Sequence, residues 1–151
     1  METGNGTTWQ GIPTALDRTF FPSITIAGGG FGGNISFVIS GAPAFILNFR
    51  NFEVISAYEE TPYWTLAETN DRPLHTLNLI VDTPLVLRLR DLLHKPSLSH
   101  FLLCGGDMCA EVVADAYAIE EFARTENEEA ICAGRMTRKL EDICYSEWIT
   151  P

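Results

Sequence analysis

The stretch LHTLNLIVDTPLVLRLRDLLHK, residues 74–95, decides the predicted fold, because the spacing of its apolar residues changes partway along it. Up to residue 81 the apolar residues Leu77, Leu79 and Val81 alternate with polar ones. A two-residue period is typical of a strand that buries one face. Beyond residue 84 the leucines recur at three- and four-residue intervals, which is the spacing of one helical face. The chain therefore combines strands and helices.

Helix boundaries are well marked in this stretch. Asp82 or Thr83 serves as the N-cap, and Pro84 occupies the first helical position, where its missing amide hydrogen costs nothing. Pro96 ends the helix. We therefore predict a helix over about 83–94 that buries one apolar face, made of Leu85, Leu89, Leu92 and Leu93.

Strand-length segments rich in β-branched and aromatic residues lie on both sides of this helix, each bounded by turn formers. No helical crossover separates the earlier ones, so they are expected to pair mainly antiparallel. Residues 119–122 are predicted as loop or helix. The predicted strands are Ile24–Ile26, Ile35–Ile39, Phe45–Phe49, Phe52–Ile55, Tyr63–Leu66, Leu74–Val81, Ser99–Cys104 and Cys109–Ala116.

A second helix is predicted at about 135–148, because its apolar residues again fall on one helical stripe. The resulting fold class is α+β: a mainly antiparallel β-sheet of about 6–8 strands, covered on one face by the two amphipathic helices, about 83–94 and 135–148. Residues 1–22 are predicted to be a loosely ordered lead-in, and residues 23–151 a single domain. The stripe of the second helix is made of Met136, Leu140, Ile143, Cys144 and Trp148.

Composition favours a soluble globular protein, with 46% apolar and 20% charged residues. The N-terminus lacks the basic and apolar regions of a signal peptide, so a cytoplasmic location is expected. The four cysteines are then predicted to be thiols. In a secreted protein they would instead allow two disulfides, with three alternative connectivities.

Acidic residues are concentrated near the C-terminus. Residues 107–147 contain eleven carboxylates and four basic side chains, so they supply −11 + 4 = −7 of the net charge of −10. Such a charge repels nucleic acid and anionic membranes and attracts a basic protein partner. The predicted partner-binding residues are five carboxylates with three aromatic anchors, namely Glu120, Glu121, Glu126, Glu128, Glu129, Tyr117, Phe122 and Trp148.

Other site motifs are weaker. Gly28, Gly30 and Gly33 match Gly-x-Gly-x-x-Gly, but the residues that follow favour a strand, whereas a dinucleotide site needs a helix. A hairpin connection or bulge is the preferred interpretation. His94, His100, Cys104 and Cys109 form a conceivable zinc set, although the cysteines flank a tight turn where small thiols pack well. No metal or cofactor is predicted.

In size, charge and predicted architecture the chain resembles the small bacterial immunity proteins that neutralise a toxin. The resemblance implies a non-catalytic inhibitor whose carboxylates bind a basic toxin or nuclease. Two alternatives remain. One is a small-molecule-binding domain or small enzyme, with a pocket lined by Phe49, Tyr63, Trp64 and His75. The other is a structural subunit that forms a homodimer through its leucine stripe or an edge strand.

Overall fold

A computed structural model describes residues 9–19, 22–29, 33–41, 44–58, 75–106, 108–122 and 148–151. These ranges contain nine strands, a short 3-10 helix (η1, Ala15–Arg18) and one α-helix (α1, Pro84–Leu93). That helix is too short to cross a membrane, so the described residues contain no membrane-spanning helix. The strands are β1 (Trp9–Gly11), β2 (Ser23–Gly29), β3 (Ile35–Ser40), β4 (Ala44–Arg50), β5 (Val54–Tyr58), β6 (Leu77–Ile80), β7 (Ser99–Cys104), β8 (Cys109–Ala114) and β9 (Ala116–Phe122).

The strands form two antiparallel sheets, with the orders β1-β6-β7-β8-β5 and β2-β3-β4-β9. The chain passes between the sheets three times, from β1 to β2, from β4 to β5 and from β8 to β9. Since β4 pairs with β9 and β5 pairs with β8, one two-stranded ribbon runs through both sheets. The predicted antiparallel pairing is confirmed, but the prediction of a single sheet is wrong.

The core lies between the two sheets, because each sheet sends alternate apolar side chains into it. Phe37 and Phe49 of the four-stranded sheet meet edge to face, with ring centroids 5.8 Å apart. Phe49 reaches Phe101 of the other sheet at 5.1 Å, and Phe101 in turn contacts Tyr117 at 5.7 Å. This aromatic row joins the two layers, since offset and edge-on ring pairs are favourable beyond the area they bury.

The glycine cluster forms part of a hairpin. Gly28 and Gly29 belong to β2 and pair with Ser36 and Ile35 of β3, and the register shifts between Ile26 and Gly28. The preferred interpretation, a hairpin connection or bulge, is confirmed. The element that follows the glycines is strand β3, so the helix that a dinucleotide site needs does not form there.

The tip of the β7–β8 hairpin brings the two sheets together at one end. The backbone N–H of Gly106 donates to the carbonyl of Pro22 at 2.8 Å, just before β2 begins. A Cβ added at Gly105 would lie 2.6 Å from Cδ1 of Ile24 and 2.9 Å from the Pro22 carbonyl oxygen. Glycine is therefore required at position 105 for this close approach.

Helix α1 begins and ends as predicted. The Thr83 hydroxyl accepts the N–H of Val86 at 3.2 Å, Pro84 is in the first turn, and His94 adopts the left-handed conformation at the C-cap. The predicted buried face is confirmed only in part. Leu89 is half-buried, whereas Leu85, Leu92 and Leu93 are 41%, 62% and 40% exposed. Val86 is the fully buried side chain of the helix, and it packs with Leu89 against Leu98 and Val113.

Arg90 explains this rotation of α1. Its Nε donates to the carbonyl of Leu98 at 2.8 Å, and its Nη1 lies 3.5 Å from a carboxylate oxygen of Asp82. These contacts turn the side of the helix that carries Val86 and Arg90 toward the protein. Leu85 and Leu92, on another side of the helix, then remain at the surface.

Two further predictions concern the C-terminal third. Residues 119–122, predicted as loop or helix, belong to strand β9, where pairing with β4 outweighs the local preference of Ala and Glu. The second predicted helix, about 135–148, lies outside the described residues apart from Trp148.

The predicted lead-in, 1–22, contributes β1 and η1 among its described residues.

Candidate functional site

Strand β9 carries the described part of the predicted partner-binding site, at the edge of the four-stranded sheet. Glu120 lies opposite Ile46, and Glu121 lies opposite Phe45. Consecutive residues of a strand point to opposite faces, so these two carboxylates do not form one surface pair. Glu120 is half-buried and Glu121 is exposed.

Glu121 is ion-paired with Arg18, the last residue of η1. Nη1 of Arg18 lies 3.2 Å from Oε2 of Glu121, and the two side chains are 58% and 45% exposed. An ion pair this open to water contributes about 0–1 kcal/mol. Another cation can therefore replace Arg18 at little energetic cost, and Glu121 stays accessible at the surface.

The predicted aromatic anchors have different environments. Tyr117 is 5% exposed and packs in the core against Phe101, and burial raises the pKa of its phenol. Trp148 is half-buried, with its ring centroid 5.4 Å from the guanidinium carbon of Arg50. Phe122 ends β9, but its side chain lies outside the described residues, as do Glu126, Glu128 and Glu129. The assignment of these residues to partner binding stays a prediction.

The chain returns to β9 at its C-terminus. Tyr117 and Ile149 exchange two backbone hydrogen bonds, of 3.0 Å and 2.8 Å. Together with the Trp148–Arg50 contact, this bridge attaches residues 148–149 to the strand that ends at Phe122. Both ends of the stretch 123–147 are thus attached at β9.

Asp115, at the turn between β8 and β9, is neutralised within the fold. Its Oδ2 accepts from Nε and Nη2 of Arg50 at 3.1 Å and 3.0 Å, and from Asn51 at 3.3 Å. Burial alone would raise the pKa of this carboxyl, but hydrogen bonds from Ser97 and Asn51 and the charge of Arg50 outweigh it and lower the pKa. Asp115 therefore belongs to a structural ion pair.

Glu111 is likewise removed from the acidic surface. Its Oε1 lies 2.8 Å from Nε2 of His100, and the two side chains are only 7% and 3% exposed. Nδ1 of His100 lies 2.9 Å from the hydroxyl of Thr83, the N-cap of α1. Of the four described carboxylates between 107 and 122, three have a basic partner: Glu111, Asp115 and Glu121.

The His100–Glu111 contact was not predicted from the sequence, although the pairing register of the β7–β8 hairpin implies it. The pairing of β7 with β8 sets Cys104 opposite Cys109 and Leu102 opposite Glu111. Glu111 then lies diagonal to His100 on the same face of the sheet, within reach of a long side chain. Counting outward from the turn would have identified this contact.

Cys104 and Cys109 face each other across the two strands and are both buried thiols. A hydrogen bond with Cys109, together with burial and the nearby charge of Glu111, raises the pKa of the Cys104 thiol. Nδ2 of Asn78 lies 3.8 Å from its sulfur. The Cys104 thiol thus stays protonated, whereas nucleophiles and metal ligands need the thiolate.

The conceivable zinc residues do not gather into a site. His94 is exposed at the end of α1, and His100 is engaged with Thr83 and Glu111. Among the described residues, no group of three or more histidine, cysteine or acidic side chains is placed to hold a metal ion.

His75 and Asp17 form a second carboxylate–histidine pair, which was not predicted from the sequence. Its Nδ1 lies 2.9 Å from Oδ2 of Asp17 in η1, and both side chains are about one-third exposed, 31% and 32%. Oδ1 of Asp17 accepts the N–H of Thr76 at 2.9 Å. Burial alone would raise the pKa of Asp17. Hydrogen bonds from His75, Thr76 and Thr14 outweigh this effect, so the pKa of the carboxyl lies below its ordinary value.

This Asp–His pair joins η1 to the start of β6 above strand β1. A Cβ on Gly11 of β1 would lie 2.0 Å from Cδ2 of His75, so the ring packs where only glycine fits. The predicted small-molecule pocket would place His75 beside Phe49, which is fully buried in the core. Its other two residues, Tyr63 and Trp64, lie outside the described residues, so the pocket stays a prediction.

Comparison with known proteins gave no match to a protein-family model, to a curated protein or to a solved structure. Functional argument for this chain therefore starts from its own side chains.

Proposed function

We propose that this chain is a non-catalytic acidic interaction protein of the inhibitor or immunity type. It acts in the cytoplasm and binds a basic protein partner through Glu121 and the carboxylates that follow strand β9. The main observation that supports the proposal is the exposed ion pair between Arg18 and Glu121.

Arg18 serves as an internal example of the contact that a partner would make. It approaches Glu121 from a separate element, 103 residues away in sequence, and places a guanidinium nitrogen 3.2 Å from the carboxylate. Because both side chains remain about half exposed, an incoming arginine or lysine reaches the same carboxylate without opening the core. Guanidinium–carboxylate contacts of this kind give an interface orientation as well as charge complementarity.

The attachment of residues 148–149 to β9 supports the same location. Glu126, Glu128 and Glu129 lie in the stretch that leaves β9 at Phe122 and returns to it at Ile149. The two ends of that stretch are therefore held by the strand that carries Glu121. The proposal does not depend on Glu111 or Asp115, since His100 and Arg50 neutralise them.

Charge reversal tests the proposal. The variant E121K/E126K/E128K/E129K should lose binding to a partner that is captured at low salt and released at high salt, because surface charges mainly set this salt dependence. The matched control, E59K/E60K/E68K/D71K, changes the net charge equally but lies between β5 and β6. If both variants bind the partner as the wild type does, with the same salt dependence, the proposal is wrong.

A further inference from the structure

Helix α1 exposes an apolar surface next to two charges that pair with nothing else described. Leu87 and Leu92 are 47% and 62% exposed, and Arg88 and Asp91 lie between them on the helix surface, because residues three or four apart are neighbours on a helix. Exposed leucines grouped on one helical side are typical of an interaction surface. We name this side, Leu87, Arg88, Asp91 and Leu92, the α1 face.

The charges of the α1 face differ from the other charges of this region. Arg90 is paired with Asp82, and Lys95 with Glu53. Arg88 and Asp91 are both exposed, and in the described part of the chain they take part in no ion pair or side-chain hydrogen bond. One positive and one negative side chain, three residues apart, therefore lie between the exposed leucines.

This arrangement is complementary to itself. A two-fold axis across the helix between residues 89 and 90 sets a second α1 antiparallel to the first, with the same side of each helix facing its neighbour. Position 88 then lies level with position 91 of the other copy, so Arg88 faces Asp91 twice. Position 92 likewise lies level with position 87, so Leu92 of each copy lies beside Leu87 of the other.

We propose that the α1 face is a homodimer interface, occupied by α1 of a second copy of this chain in antiparallel orientation. The charge pattern selects this occupant. A purely acidic partner would leave Asp91 facing like charge, and a purely basic one would do the same to Arg88. The dimer does not depend on the proposed basic partner, because Glu121 lies on a different element.

Contact through one ten-residue helix is small for a protein interface, so the dimer is expected to be weak. Sedimentation velocity on the full-length chain, from about 1 to about 200 µM, covers the micromolar dissociation constants of such interfaces. The wild type should shift from monomer to dimer within this range.

Leu92→Glu should keep the protein monomeric throughout, because it places a carboxylate in the leucine contact. Leu85→Glu is the matched control, since Leu85 is also an exposed leucine of α1, at 41%, but lies outside the α1 face. This variant should dimerise like the wild type. Circular dichroism should show both variants folded, because neither side chain is buried.

Exchanging the two charges tests the proposed contacts between Arg88 and Asp91. Arg88→Asp or Asp91→Arg alone should raise the dissociation constant roughly three- to tenfold, because like charges replace two exposed ion pairs. The double variant R88D/D91R should return close to the wild-type value. The proposal is overturned if the wild type stays monomeric, if Leu92→Glu dimerises normally, if Leu85→Glu disrupts the dimer, or if the double variant is no better than the single ones.

Discussion

His100 and Glu111 form a buried hydrogen-bonded pair beneath the N-terminus of α1. Nε2 of His100 donates to Oε1 of Glu111 at 2.8 Å, since a carboxylate can only accept, and the other ring nitrogen contacts the N-cap residue Thr83 at 2.9 Å. The pair therefore links the two central strands of the five-stranded sheet to the residue that starts the helix. A buried pair of this kind is sensitive to the loss of one partner.

We expect Glu111→Leu to lower the free energy of unfolding by about 1–3 kcal/mol, because it leaves a buried ring nitrogen of His100 without its hydrogen-bond partner. The double variant H100L/E111L should recover much of that loss, since an apolar pair of similar volume replaces both polar partners. Urea unfolding of both variants measures the difference. A Glu111→Leu protein as stable as the wild type would show that the pair contributes nothing.

Stability should fall in acid because of Asp17 and Asp115. Both carboxyls have a pKa below the ordinary value of 3.8 in the folded chain. A lowered folded pKa means that the stabilisation is complete above the unfolded pKa, near 4, and is lost as the pH falls through the lower folded value. The urea midpoint should thus decline below about pH 4.

Variants identify the source of this decline. Asp17→Asn and Asp115→Asn should each make the urea midpoint less dependent on pH in this acidic range, and the double variant should do so more strongly. Asp91→Asn, measured at a concentration low enough to keep the chain monomeric, is the control, because this exposed carboxylate has no ion-pair partner among the described residues. If all three substitutions left the same pH profile as the wild type, the acid sensitivity would have another origin.

Gly11→Ala should displace the His75 ring and weaken its contact with Asp17. The added Cβ would lie 2.0 Å from Cδ2 of the ring, so something must move. Overpacking of this kind costs about 1–3 kcal/mol. The double variant G11A/H75A should be more stable than predicted from the two single variants, because removing the ring vacates the space. Strict additivity in thermal unfolding would contradict this steric explanation.

Val86→Ala should destabilise the protein more than Leu87→Ala, even though it removes less side chain. Val86 is fully buried against Leu98 and Val113, so we expect a loss of about 1–2.5 kcal/mol. Leu87 is 47% exposed, and a surface substitution there should change stability by less than about 0.5 kcal/mol. Urea unfolding at one protein concentration, low enough to keep the chain monomeric, compares them. The reverse order would contradict the burial of Val86.

Local pattern was sufficient for most of the element boundaries. Strands β3, β4 and β7 occur where alternation and β-branched residues predict them, because a strand needs only a few consecutive residues of the right kind. The limits of α1 follow from Thr83 and Pro84 at its start and the left-handed His94 at its end. Strand β9 was missed, since its alanines and glutamates carry no strand preference and only pairing with β4 defines it.

The sequence by itself thus determined most of the strands, the limits of helix α1 and the excess of acid in this protein. Tertiary structure decided which side of α1 is buried, how the strands divide between two sheets, and which carboxylates are neutralised. Those outcomes depend on contacts between distant residues: Arg18 with Glu121, Asp17 with His75, and Arg50 with Asp115 lie 103, 58 and 65 positions apart. Charge counted along the chain cannot show such pairs, because an ion pair depends on the distance between two side chains in space.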